Sequence, residues 1–210
     1  MHVILDIIIA GVFASIILFF VVSTTATMGD TTLKTTLDVI AQKNSSTVAQ
    51  MLNYDFYKIG YRDDINAPNP IIEFADSERI RFRGDVDASG TLDTVEYYTG
   101  TTLDSIPGSK VIFKRLYRRV YSSDRPWVGE GARLGMTSLK FTYYDDHSRQ
   151  IVPPTPTDDA SLRLIRSIGI RMMVKNPIAT DTLAAATLDT SFAATYWEKF
   201  ITPKNLRWLK

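Results

Sequence analysis

The feature that most constrains this chain is a long apolar run close to its start. Residues Val3–Val22 read VILDIIIAGVFASIILFFVV, and Asp6 is the only charged residue among them. A helix needs about 20 apolar residues to cross the hydrocarbon core of a bilayer. The run therefore predicts one membrane-spanning helix. A cleaved secretory signal is the alternative, but it requires a basic n-region and a small-x-small cleavage site, whereas the n-region here is Met1-His2 and STTATM is a poor site.

A second, amphipathic helix is predicted after Gly29. Its apolar residues recur at steps of three and four, while polar residues occupy the other faces. If it continues the membrane helix, with Gly29 as a weak point, one rod of about 80 Å runs from Val3 to Tyr57. The first half of such a rod requires lipid, and the second half requires its own domain or a partner. The apolar positions are Leu33, Leu37, Ile40, Val48, Met51, Leu52 and Ile59.

The chain beyond Gly60 has the pattern of a β-rich domain. Short β-prone segments alternate with turn residues, and the segments Ala67–Pro70 and Ile151–Asp159 are predicted as Pro-containing loops. The stretch Leu183–Phe200 is Ala/Thr-rich and ambiguous. Strands are predicted at Ile71–Phe74, Ile80–Gly84, Thr94–Thr99, Val111–Tyr121, Ser138–Tyr144 and Ser167–Val174.

These patterns together predict an α+β fold. A long N-terminal helix, transmembrane and then amphipathic, occupies residues 1–59 and packs on an antiparallel β-sheet head formed by residues 60–210. With 210 residues, of which 45% are hydrophobic, the chain is long enough for one domain and an anchor. Two full domains are not expected.

Composition argues against several classes of function. The 24 basic and 23 acidic residues nearly cancel and no Lys/Arg block is present, so nucleic-acid binding is not predicted. The chain has no cysteine and only His2 and His147, which excludes disulfides, thiolate metal sites and His-rich metal sites. There is no Gly-x-Ser-x-Gly elbow, P-loop or dinucleotide fingerprint. We therefore expect neither catalysis nor a small-molecule substrate.

Two polar clusters in the head have ordinary structural interpretations. Asp145-Asp146-His147 follows a Tyr-Tyr strand and is interpreted as a polar turn. The basic and aromatic run Phe113–Tyr121 alternates in the manner of a half-exposed strand, and a docking face is its second interpretation.

The run Asp85–Glu96 matches the spacing of a calcium-binding EF-hand loop, with Gly90 at the turn position. Oxygen donors of this kind select Ca²⁺ or Mg²⁺ over softer metals. The flanking residues alternate like strands rather than helices, so an acidic β-turn is the alternative, in which Glu96 can point away from the site. The candidate Ca²⁺ ligands are Asp85, Asp87, Ser89, Thr91, Asp93 and Glu96.

Four segments, in this order, resemble the minor pseudopilins of the type II secretion J kind and the PilW-type minor pilins. MLNYDFYKIGYR (51–62) resembles the "Asp, basic, small, Gly-Tyr" close of their first helix, and ERIRFRGDVDASGTLDTVEYY (78–98) is similar to their Phe-Arg-Gly-Asp hairpin. LKFTYYDD (139–146) resembles their Phe-x-Tyr-Tyr-Asp strand, and PKNL (203–206) is similar to their Arg-Asn-Leu ending. Together with the apolar start, these segments are spread over most of the length of the chain.

The resemblance implies a non-enzymatic subunit of a type IV pilus-like or type II secretion filament, acting in its assembly or tip complex. Its partners would be sibling subunits, contacted through the N-terminal helix, and the lipid of the bacterial inner membrane. The chain would cross that membrane once, with an extracytoplasmic head. The alternative is a signal-anchored periplasmic binding or sensor module that belongs to no filament.

Asp6 has two interpretations. A carboxylate within the hydrocarbon region costs about 2.5 to 3.5 kcal/mol, less near the interface, and the positive end of the helix dipole offsets only about 0.3 to 1 kcal/mol. In the first interpretation, Asp6 lies at the N-terminal edge of the membrane, where the positive end of the helix dipole stabilises its charge. The resemblance instead implies that Asp6 pairs with the N-terminal amine of a neighbouring subunit during assembly. If Met1 were removed, Asp6 would be the fifth residue, which is where the resembled family places its glutamate.

Overall fold

A computed structural model describes residues 2–61, 71–105, 112–121, 135–151, 159–175 and 194–208. The helices are α1 (His2–Tyr57) and α2 (Asp159–Arg163), and a 3₁₀ helix covers Lys204–Trp208. The strands are β1 (Ile72–Ala75), β2 (Arg79–Gly84), β3 (Asp93–Ser105), β4 (Ile112–Tyr121), β5 (Met136–Tyr144), β6 (Gln150–Ile151), β7 (Ser167–Lys175) and β8 (Ala194–Ile201).

The strands form two four-stranded antiparallel sheets. Sheet 1 has the order β1-β2-β3-β4, and sheet 2 has the order β6-β5-β7-β8. All pairings within them are antiparallel. The long N-terminal helix packs against these sheets, so the predicted α+β fold is confirmed.

Helix α1 is a single 56-residue rod, which is about 84 Å long at 1.5 Å per residue. It passes through Gly29 without interruption, so the predicted weak point does not end it. Only its second half has a buried face. Leu33 and Ile40, which we assigned to the apolar stripe, are exposed. The buried positions of the helix are Leu37, Ala41, Ser45, Val48, Ala49, Leu52, Asp55 and Phe56.

The core lies where the end of α1 meets both sheets. The ring of Phe56 is fully buried, with its centroid 5.3 Å from that of Phe82 and 5.8 Å from that of Tyr97, both in sheet 1. It also stacks on Phe141 of sheet 2 at 5.8 Å. One aromatic side chain of the helix therefore contacts both sheets.

The chain turns sharply at the end of α1, where two glycines are required. Gly60 has a φ of +72°, a left-handed conformation that side chains with a Cβ rarely adopt, and its N–H donates to the Arg83 carbonyl oxygen at 2.9 Å. A Cβ on Gly84 would overlap the carbonyl oxygen of Lys58. The helix end thus lies directly against the end of β2.

Each of the six predicted strands corresponds to a strand of the structure, with bounds that differ by a few residues. The ambiguous stretch Leu183–Phe200 contains most of β8, whose exposed and half-buried residues alternate. The predicted loop Ile151–Asp159 is corrected at both ends, because Ile151 belongs to β6 and Asp159 begins α2. Its residues 152–158 and the predicted loop Ala67–Pro70 lie outside the described residues.

Candidate assembly helix and head-domain sites

The first half of α1 is an exposed apolar helix. It is long and apolar enough to cross a membrane, and none of its most apolar stretch is buried against the head. Phe13, Phe19 and Phe20 are among its large exposed side chains. Asp6 lies on this exposed part, one turn inside the start of the helix. The structure therefore leaves this half to an environment other than the chain's own head.

A threonine-rich segment joins the apolar half to the packed half. Sequence analysis missed it, although the density of Ser and Thr between residues 23 and 36 is visible in the sequence. In an exposed helix these hydroxyls need a partner, and here six of the eight donate to the carbonyl oxygen four residues earlier, at 2.8 to 3.0 Å. The donors are Thr25, Thr27, Thr31, Thr32, Thr35 and Thr36. These six hydroxyls are bonded within the helix, so apart from the exposed charges of Asp30 and Lys34 the segment presents mainly small side chains, which are suited to close helix packing.

A buried ionic cluster fastens the helix to sheet 1. The Asp55 carboxylate, 1% exposed, accepts hydrogen bonds from the Tyr97 hydroxyl at 2.5 Å and from Arg118 Nε at 2.6 Å and Nη2 at 3.1 Å. Burial raises the pKa of the Tyr97 hydroxyl well above its ordinary value, and the charge of Asp55 adds to this shift. Burial, the largest single influence, would lower the pKa of Arg118, but its hydrogen bonds and charge interactions with Asp55 and Tyr97 together outweigh burial and raise that pKa. Both pKa shifts keep the Tyr97 hydroxyl neutral and the Arg118 guanidinium charged at physiological pH, so this junction is a fixed structural contact.

The acidic loop between β2 and β3 brings together three of the six candidate calcium ligands. Carboxylate oxygens of Asp85, Asp87 and Asp93 lie within 4.8 Å of one another. The loop also uses these oxygens internally: the Ser89 N–H donates to Asp85 and Asp87, each at 3.0 Å, and the Gly90 N–H donates to Asp85 at 2.9 Å. Hydrogen bonds from Ser89 lower the pKa of Asp87, so it stays ionised. This arrangement is that of an acidic turn in a hairpin.

Two further candidate ligands, Ser89 and Thr91, contact each other through their hydroxyl oxygens at 2.7 Å. Glu96 is not part of this loop site. It lies three residues after Asp93 in β3, and because side chains alternate along a strand it points to the opposite face of sheet 1. The prediction that Glu96, at the twelfth position of the EF-hand pattern, is a calcium ligand is therefore wrong. Calcium binding by the remaining carboxylates stays a prediction.

Glu96 instead lies beneath a group of arginines on the outward face of sheet 1. Its carboxylate is fully buried, with Oε1 2.6 Å from Arg79 Nη2 and 2.9 Å from Arg81 Nη2, and Oε2 3.8 Å from Arg119 Nη1. Burial would raise the pKa of Glu96, but the hydrogen bonds from Arg79 and Arg81 outweigh it and lower that pKa. Sequence analysis missed this cluster, although the alternation of Arg79, Arg81 and Arg83 along β2 placed three cations on one face.

The Asp145-Asp146-His147 segment forms the turn between β5 and β6. Asp145 Oδ1 accepts hydrogen bonds from the N–H groups of His147 at 2.9 Å and Arg149 at 2.8 Å. These backbone bonds lower the pKa of Asp145. The side chain thus stabilises the turn, in agreement with its interpretation as a polar turn.

Comparison with protein-family models gives no match, and neither does comparison with curated proteins.

Proposed function

We propose that this chain is a structural subunit, of the minor pilin or pseudopilin kind, of a type IV pilus-like or type II secretion filament. In this proposal it is anchored once in the bacterial inner membrane, with an extracytoplasmic head, and acts in assembly or in a tip complex. Its partners are sibling subunits contacted through α1. The proposal assigns no catalytic step to the head.

The observation that supports this proposal is the division of α1 into two halves. The segment from Leu37 to Phe56 packs on the head, whereas the preceding helix has no buried residue among those whose side chains are described. An apolar run of 20 residues spans about 30 Å, which matches the hydrocarbon core. The same surface can exchange lipid for the apolar helices of neighbouring subunits, because both surroundings are equally apolar and close packing decides between them.

The threonine-rich segment supports assembly more specifically than anchoring. Between Val22 and Leu37 the helix runs about 21 Å beyond the apolar run, and none of its residues there is buried against the described part of the head. A tether exposed to water in this region needs only a flexible linker. Here the helix is continuous, Asp30 and Lys34 are its charged residues, and six threonine hydroxyls are bonded to its own backbone, so most of its surface is suited to a neighbouring helix.

The role of Asp6 follows from the same arrangement. An unpaired carboxylate in an apolar bundle is costly, so a filament must supply it with a cation. In the proposed assembly this cation is the N-terminal amine of a neighbouring subunit.

Site-directed crosslinking in membranes of the native host tests the proposal. The chain contains no cysteine, so single cysteines placed from Val12 to Leu37 report only on the chosen positions. We expect crosslinks to the chain itself or to proteins with similar apolar helices, repeating with a helical period of about 3.6 residues. A cysteine in place of Glu198, on the outward face of sheet 2, is the control for random collisions.

The substitution Asp6→Ala should weaken these crosslinks, whereas Glu198→Ala, which removes an exposed carboxylate of the head, should leave them unchanged. A monomer that forms no crosslink at any position would contradict the filament proposal. It would leave the signal-anchored periplasmic binding or sensor module as the function to pursue.

A further inference from the structure

On the outward face of sheet 1, two arginines, Arg79 and Arg81, share the single carboxylate of Glu96. Arg79 Nη2 and Arg81 Nη2 lie 2.6 and 2.9 Å from the same oxygen of Glu96, so the two cations are held close together by one negative charge. Like charges at this separation repel each other. Within the part of the chain that the structure describes, Glu96 is the carboxylate paired with Arg79 and Arg81, so the pair carries one positive charge more than Glu96 neutralises, which a second anion would relieve.

These two guanidinium groups are accessible although their carboxylate is not. The side chains of Arg79 and Arg81 are 42% and 33% exposed, whereas that of Glu96 is completely buried beneath them. The face also lies away from α1, because Val95 and Tyr97, which alternate with Glu96 along β3, belong to the core that packs on the helix. A partner can reach this face while α1 is occupied elsewhere.

Aromatic rings hold two of the arginines on this face, Arg79 and Arg119, in place. The guanidinium of Arg79 lies over the ring of Phe74 at 5.0 Å and over that of Tyr98 at 5.9 Å. Arg119 lies over Tyr98 at 4.7 Å, and Tyr98 is itself stacked on Tyr117 at 4.9 Å and 8°. Such contacts fix planar guanidinium groups before binding, which lowers the entropic cost of forming hydrogen bonds to them.

The same contacts decide which anion fits. Single-stranded nucleic acid binds sheet faces by stacking its bases on aromatic rings, but the Tyr98 ring is already covered by Tyr117 and by guanidinium groups. The exposed guanidinium groups of this face present their N–H donors in a planar fork, and this geometry matches the two oxygens of a carboxylate. We propose that the outward face of sheet 1, centred on Arg79 and Arg81, is a docking site for an acidic segment of a protein partner. The site does not depend on filament assembly.

Binding of a defined acidic probe to the full-length protein tests this site. Fluorescence anisotropy would follow a fluorescein-labelled hexaglutamate peptide added to the protein in non-ionic detergent. We expect saturable binding that weakens as salt is added, because the contacts are exposed ion pairs. Arg81→Gln should weaken binding about tenfold, the effect of one hydrogen bond between charged groups. Arg171→Gln, which removes an exposed arginine from sheet 2, should leave it unchanged.

The substitution Glu96→Gln distinguishes two roles of the arginines: binding an external carboxylate, or only neutralising Glu96. If the arginines bind an external carboxylate, removing the internal one should tighten peptide binding, and near-UV circular dichroism would verify that the head remains folded. The proposal is overturned if wild-type protein does not bind the peptide, if Arg81→Gln and Arg171→Gln have equal effects, or if Glu96→Gln weakens binding. Tighter, Arg81-dependent binding of a thymidine oligonucleotide would also overturn it, since the partner would then be a nucleic acid.

Discussion

Replacement of Asp55 by Asn should weaken the attachment of α1 to the head. The side chain is almost the same size, but the amide presents N–H donors where Asp55 accepts from the Tyr97 hydroxyl and the Arg118 guanidinium. Arg118 would keep its charge without a counter-ion. Breaking one side of a fully buried ion pair costs about 3 to 5 kcal/mol. Because the Arg118 side chain is 31% exposed and water can solvate it in part, we expect about 2 to 3 kcal/mol.

Urea unfolding of the full-length protein in detergent measures this cost. Near-UV circular dichroism reports the packing of tyrosine and tryptophan, and therefore the head, independently of the helix content of the membrane half. Glu198→Gln is the matched control. It breaks a pair with Arg171 in which both side chains are more than half exposed, so its effect should stay below about 1 kcal/mol. If Asp55→Asn costs no more than Glu198→Gln, the cluster does not fasten the helix and our reasoning is wrong.

Three further changes test the core, the arginine face and the acidic loop. Phe56→Ala removes the ring that contacts both sheets and should cost about 3 to 5 kcal/mol in the same unfolding assay, whereas Tyr57→Ala, at a half-exposed neighbour, should cost far less. Because the pKa of Glu96 is lowered from 4.5, its contribution to stability should be complete above pH 4.5 and lost as pH falls below it, and Glu96→Gln should remove that part of the acid dependence. Without the carboxylate of Glu96, the acidic loop should bind calcium no more tightly than about 10⁻⁴ M by isothermal titration calorimetry, and Asp87→Asn should weaken that binding further.

The sequence predicts the elements of this fold well because each carries its own periodicity. The step of three and four residues predicts α1 to its last residue, Tyr57, and alternation predicts the six main strands. Strand β8 was left ambiguous because its alternation in TYWEKF follows a long Ala/Thr-rich stretch with no clear pattern. Strand β6, at Gln150–Ile151, is too short to produce a periodic signal.

The contacts that make up the candidate sites are less predictable, because they join residues far apart in the chain. Asp55 and Arg118 are separated by 63 positions, and nothing local marks either as a partner of the other. Glu96 shows the opposite problem. Its spacing fits the EF-hand pattern in one dimension, but that pattern assumes a flanking helix, and the strand turns the side chain to the other face.

The way in which α1 joins the head bears on the choice between filament subunit and tether. The junction combines an aromatic contact to both sheets, a buried ionic cluster, and two glycine-dependent backbone contacts at Gly60 and Gly84. Together these fix the direction of the helix relative to the sheets. A tether that only keeps a binding domain near a membrane gains nothing from a fixed direction, whereas a subunit packed through its helix needs one, because the helix then determines where the outward face of sheet 1 points. This rigidity supports the filament proposal, and Asp55→Asn should weaken assembly even though Asp55 lies outside the part of α1 that would contact neighbours.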